Sequence, residues 1–405
     1  MRFLYDGTMQ ERSFPPGFLW GTATSAHQIE GDNLYSDWWK AEQEGKVPFK
    51  SGKACDSYNR YEEDLSLAKA MHNNAHRFSV EWARIEPREG EFQEEEIEHY
   101  RKVIRSVRQR GMEPFITLHH FTNPQWFAEK GGWTNKKAPE YFERYVKFVV
   151  ERLGGEAKFW ATINEPLIVN MMGYMVGKFP PNKYSVWQFI AACRNMKEAH
   201  KEAYLAVKQI HPELLVGIVK NNVFFEAYLN KPLSRVTASI ARYVWNRWFL
   251  NGVRDCADFI GLNHYSRNLI HVRFSNPRAW FNQNENKEIS DFGWEIYPES
   301  IYRVTKELMG YGKPIYIMEN GIADADDDKR PNFIRNYLQW LHRAIEEGAD
   351  VRGYFHWSLL DNFEWAEGFT KRFGLIHVDF NTFERTPRKS AAVYGEICRT
   401  NSVNA

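Results

Sequence analysis

EPFITLHHFTNPQW, from Glu113 to Trp126, begins as a buried strand and stops abruptly. Ile116, Thr117 and Leu118 read as the strand. Two histidines and a phenylalanine follow, and then Thr-Asn-Pro, through which neither a strand nor a helix continues. Adjacent histidines at a strand end fit a metal site, an acid–base pair or a packed corner, and the stretch alone leaves all three open.

The same short apolar run, ending in polar or aromatic residues, recurs along the chain. The others are FLWGTAT from Phe18, AHRFSVEW from Ala75, FWATINE from Phe159, LVGIVKNN from Leu215, ADFIGLNHY from Ala257, PIYIMEN from Pro314 and VRGYFHW from Val351, which makes eight in all. Helix-like stretches lie between them. EEEIEHYRKVIRSVRQRG puts Ile97, Val103, Ile104 and Val107 on one face and stops at Gly111. PEYFERYVKFVVERLG, MKEAHKEAYLAVKQIHP and PNFIRNYLQWLHRAIEEG repeat the pattern. Alternating strands and helices imply a parallel sheet, and eight such units imply closure. The expected fold is α/β, a single (β/α)8 TIM barrel whose one catalytic domain spans residues 1–405. An open doubly wound sheet is the competing architecture, but its Gly-rich first turn is missing.

Composition removes several functions. Lys and Arg total 53 against 52 Asp and Glu, so the net charge of +1 carries no footprint for nucleic acid or an anionic membrane. No apolar run approaches the roughly 18 residues of a membrane span, and MRFLYDGTMQERSFPPGF lacks the apolar stretch of a signal peptide. Cys55, Cys193, Cys256 and Cys398 form no C-x-x-C pair. These features predict a cytoplasmic protein. Aromatic residues reach 16%, which suits either a large core or a cleft whose rings stack on sugars.

A barrel of this kind carries its chemistry at the C-terminal ends of its strands. Those ends hold Gln28, Arg77, Glu81, His119, His120, Asn164, Glu165, Asn221, Asn222, Asn263, Tyr265, Glu319 and Trp357. Any one of them could be a cap or a satisfied rim residue; their joint placement is the signal. Glu165 ends the fourth strand before Pro166, and Glu319 ends the seventh just before Asn320-Gly321. Each alone is as well explained by an N-cap or a salt bridge to a neighbouring Arg. Together they face each other across the mouth, the arrangement by which one carboxylic acid protonates a glycosidic oxygen while the other attacks or activates water.

FLWGTATSAHQIEG, HRFSVEWARIEP, WATINEP, DFIGLNHYS, GWEIYPE, YIMENGIAD and WSLLDNFEWAEGFTKRFGLIHVD, in that order, resemble the family 1 glycoside hydrolases, the β-glucosidase and β-galactosidase group. The resemblance implies a retaining β-glycosidase acting through a covalent glycosyl–enzyme ester on a small or oligosaccharide β-glycoside, with no cofactor and no metal. It implies Glu165 as acid/base and Glu319 as nucleophile, supported by Arg77, Asn263 and Tyr265. Asn164 would hold the sugar 2-hydroxyl. Gln28, His120, Glu364 and Trp365 would grip the other hydroxyls over Trp357, with Trp294 and Asn221 on the aglycone side. A carboxylate at Glu364 disfavours a 6-phosphorylated sugar. A transglycosylase shares every catalytic residue and differs only in whether water or a sugar hydroxyl attacks the ester, and a non-catalytic sugar-binding relative would be expected to have lost a carboxylate.

The chain departs from the family at Phe121, where tryptophan is usual and a sugar-directed N–H is lost. It also departs at Glu81 and His356. WFLNGVRDCADFIGLNHY runs almost directly into the sixth strand, and the expected consequence is a more open cleft there. His72 and His76 have the spacing of a metal pair but sit where a helix turns into a strand, so a metal role is not expected. DADDDKR, from Asp324, lacks the glycine and glutamate of a calcium loop and is read as solvated.

Overall fold

The computed structural model describes residues 11–273, 280–281 and 288–404; the start of the chain, Met1–Gln10, on which the reading of the N-terminus partly rests, lies outside them. The eight apolar runs form eight parallel strands: β1 (Leu19–Ala23), β2 (Ala75–Ser79), β3 (Glu113–His119), β4 (Phe159–Asn164), β5 (Leu215–Asn221), β6 (Phe259–Asn263), β7 (Ile315–Asn320) and β8 (Val351–Trp357). Each pairs with its neighbours in sequence, and β8 returns to β1, from Gly353 opposite Leu19 to Trp357 opposite Ala23. That last ladder closes the barrel and excludes the open sheet.

The main helices are α1 (Ser57–Ala70), α2 (Glu94–Gln109), α3 (Ala138–Leu153), α4 (Val186–Ile210), α5 (Pro232–Arg242), α6 (Glu299–Leu308), α7 (Arg330–Glu346) and α8 (Lys389–Thr400). On α2, Ile97, Val103, Ile104 and Val107 are buried, while Glu94, Glu95 and Glu96 sit in the first turn, where the helix dipole favours negative charge. The apolar interior has two parts. Inside the barrel Phe115, Phe159, Phe259, Tyr316 and Phe355 interlock, with Phe115 and Phe159 stacked at 4.1 Å. A larger layer lies between the strands and the helices.

Two sequence readings need correcting. The acidic run at Asp324 is only in part a solvated loop: Asp326 and Asp328 are exposed, but Asp324 and Asp327 are buried. Asp324 accepts hydrogen bonds from the Lys329 and Arg330 amides at the start of α7, and Asp327 pairs with buried Arg330 and accepts from the Ser390 amide. Acid is drawn there because the first amides of a helix lack partners of their own. Glu81 is not a strand-end site residue either. β2 stops at Ser79, and Glu81 caps the following turn, accepting from the Ala83 amide and the Thr122 hydroxyl.

The short crossing is as read: the last helical turn after α5 ends at Cys256, and β6 begins at Phe259. The rim beside it is not bare, however. Beyond β5 and β6 the backbone continues as Phe224–Ala227 and Arg267–Ile270, paired in parallel so that each satisfies the other's edge.

Candidate active site

Glu319 ends β7 inside the mouth, 3% exposed. Arg77, wholly buried on β2, donates from Nη1 to its Oε1 at 2.5 Å, and the Tyr265 hydroxyl donates to Oε2 at 2.5 Å. The other donors of Arg77 are also used: Nε donates to Thr117 Oγ1, Nη1 to the Met318 carbonyl and Nη2 to Asn164 Oδ1. One guanidinium thus ties β2, β3, β4 and β7 together and holds the carboxylate as a charge-assisted acceptor. Gly321 follows because nothing larger fits: a Cβ there would lie 1.7 Å from the Trp357 carbonyl oxygen.

Glu165 lies past the end of β4, at the left-handed backbone angle φ 45°, rare for a residue with a side chain and of a kind found at functional sites. Its amide donates to the Val219 carbonyl, and Pro166 starts the next helical turn. Among the described residues no cation is hydrogen-bonded to its carboxyl. Asn263 Nδ2 donates to Oε1 at 2.8 Å and Asn221 Nδ2 at 3.2 Å. Burial pushes its pKa up from 4.5 to about 7, with the negative charge of Glu319 adding to the effect and the two amides opposing it. Burial is the larger cause, ahead of the neighbouring charge. Asn263, expected beside the nucleophile, donates instead to Glu165 and to Asn164 Oδ1. From the end of β6 its side chain reaches across the mouth to β4 rather than sideways to adjacent β7.

The remaining expected residues converge on the same hollow. Gln28 Nε2 donates to Glu364 Oε2 and to Asn362 Oδ1. Burial and the charges of Glu319 and Glu165 push Glu364 up to about 8. His120 lies parallel to Trp357 at 5.9 Å and to Trp365 at 6.1 Å. Burial, with Arg77 nearby, holds it well below its usual pKa, so it is neutral. Its Nε2 accepts from Asn164 Nδ2, which leaves the proton on Nδ1. His119 turns outward, bonded to Asn123 Oδ1 and edge-on to Trp133. Phe121 packs on Trp365 at 4.9 Å and Phe179 at 5.9 Å, inside an aromatic wall that also includes Trp38. Trp294 stands beside Tyr265 at 5.5 Å and stacks on Phe292. His356, by contrast, is buried against Tyr394 of α8, and His76 bonds to Thr22, so neither belongs to the mouth.

Sequence reasoning missed Thr117, which fixes Arg77, and Asn362, which fixes Gln28; both acquire their roles only through residues distant in sequence. It also passed over Lys220, though a lysine inside an apolar strand run is itself a signal.

A closed parallel barrel with two buried carboxylates in unlike settings at its C-terminal mouth defines a class of sugar-processing enzyme. Comparison with known proteins narrows it. The model of Glycosyl hydrolase family 1 matches residues 10–254 and 250–403, two stretches that meet at the short crossing before β6. The solved β-glycosidase from Pyrococcus horikoshii superposes with a TM-score of 0.92 at 41% identity, covering 98% of this chain and 97% of that one. Beta-glucosidase A of Thermotoga maritima is 31% identical over 98% of this chain and its whole length. The beta-galactosidase of Pyrococcus woesei is 30% identical over 96% of this chain and 98% of its own. The chain belongs to glycosyl hydrolase family 1 and is a glycoside hydrolase.

Proposed function

We propose that this enzyme removes terminal β-D-glycosyl residues, with β-glucosides foremost and β-galactosides or β-fucosides also in range, by a retaining double displacement. Glu319 attacks the anomeric carbon as the bond to the aglycone oxygen breaks, and that oxygen takes the proton of Glu165. Water then attacks the same carbon, gives its proton to Glu165 and releases Glu319 from its ester. The observation that carries this reading is the contrast between the carboxyls. Glu319 is held by a guanidinium and a phenol, whereas Glu165 is held by two neutral amides and keeps its proton near neutral pH. Esterifying Glu319 removes a charge that opposes ionisation of Glu165, so the acid of the first step becomes the base of the second.

In this reading Gln28, His120, Glu364 and Trp365 hold the glycone over Trp357, Asn164 meets the 2-hydroxyl, and Trp294 flanks the aglycone. Phe121 fills the wall behind without donating to the sugar. Neither metal nor cofactor takes part, and the chain acts as one catalytic domain. Proton NMR of the first-formed sugar tests the mechanism: the β-anomer is expected, and an initial α-anomer overturns it. A panel of nitrophenyl β-glycosides differing in the sugar ranks the preference.

A further inference from the structure

Lys220 is the one lysine of the barrel strands and is 1% exposed. Successive strand residues point to opposite faces. Asn221 points into the mouth, where it donates to Glu165, so Lys220 points behind the strand toward the helices. There its ammonium donates to the carbonyl of Asn221 and lies 5.2 Å from the centre of the Trp245 ring. Among the described residues it has no ion-pair partner, an uncommon state for a buried ammonium, since burial without a counter-charge is costly. The groups that face it are few. Cys193 on α4 is buried and held neutral, because burial pushes its thiol up to about 12. Glu307 on α6 is already paired with Arg247. Glu165 is the remaining charge. The ammonium reaches it by two routes: through space, and through Asn221, whose carbonyl it binds and whose side chain binds Glu165.

Resting on the reading of Glu165 as acid/base, we propose that Lys220 is a positioning residue for it: this buried cation seats Asn221 and eases the ionisation of Glu165 that the second step requires. The electrostatic signs agree. Lys220 lowers the pKa of Glu165 against burial and Glu319, and Glu165 in turn raises that of Lys220, which burial has pushed down to about 7. The first step needs Glu165 protonated and the second needs it ionised. A cation behind the strand therefore trades a little of the first for the second.

The test is Lys220→Met, which keeps the apolar length of the side chain and removes the charge. With activated nitrophenyl glycosides, for which the second step limits, the acid limb of the pH profile is expected to move up by on the order of one pH unit and the rate below pH 6 to fall by about tenfold. With the alkyl or poorly activated glycosides for which the first step limits, the alkaline limb should move up by less, because Lys220 itself loses its proton near pH 7. Lys220→Arg should return both limbs toward wild type. A merely structural role would lower rates at every pH without moving either limb, and that result overturns the proposal. Should Lys220→Met fail to fold, Lys220→Gln, which also removes the charge, gives the same reading. Glu165→Gln separates the two claims. If it leaves the alkaline limb in place, the acid/base assignment itself is wrong; if it abolishes the limb while Lys220→Met leaves it unmoved, only the Lys220 proposal falls.

Discussion

At the residue scale the proposed chemistry rests on how differently two identical side chains are held. Glu319→Gln should lower turnover by at least 10⁴-fold on any β-glycoside, checked by steady-state rates after excluding wild-type contamination; the order of magnitude follows from losing covalent catalysis outright. Glu165→Gln should cost unactivated leaving groups roughly 10²–10⁴-fold and nitrophenyl ones far less in the first step, because only the former need a proton. The raised pKa of Glu165 has a second consequence. Its folded-state value lies above its unfolded one, so the folded state binds more protons and the wild type loses stability as pH rises from 4.5 to about 7. Thermal unfolding of Glu165→Gln against wild type should therefore show an advantage for the variant that grows through this window and is flat below it. Phe121 belongs to this scale too. Its departure from the family pattern was legible in the sequence, but its place against Trp365 and Phe179 was not.

At the scale of elements, the strand ends were readable because apolar runs that stop in polar residues mark where β-strands meet a barrel mouth. What the reading lacked was direction. Asn263 was assigned by its place in the motif, yet its amide crosses to Glu165 because β6 aims it across the mouth. The acidic run before α7 was misread for a related reason. Asp326 and Asp328 are exposed as read, but Asp324 and Asp327 look solvated only until Arg330 and the helix amides are placed around them. Asp327→Ala should cost about 3–5 kcal/mol by chemical denaturation, since it leaves Arg330 buried and unpaired, while leaving turnover per folded molecule nearly intact.

At the scale of the molecule, closure is what makes the site. β8 pairing with β1 brings the residues after Trp357 against Gln28, more than three hundred positions away. The segments before β1 and after α8 are joined as well. Arg12–Ser13 pairs antiparallel with Ser402–Val403, and buried Trp20 at the base of β1 donates to Asn401 Oδ1 at 2.8 Å. Asn401→Ala should lower stability by about 1–3 kcal/mol, measured by urea unfolding, because it leaves that indole N–H without its acceptor. The pH profile and leaving-group dependence should be unchanged, since Asn401 lies at the end of the barrel opposite the mouth.

The sequence by itself determined the eight-unit barrel and the family, because periodicity and motif order are properties of local chain and survive without coordinates; it also singled out the two glutamates to which the proposed chemistry is assigned. The tertiary structure alone decided which carboxyl meets a guanidinium and which meets amides, where Asn263 points, and that a buried lysine binds the carbonyl of Asn221, whose side chain meets Glu165. Those are matters of burial and of distances between residues far apart in the chain, and pKa depends on both.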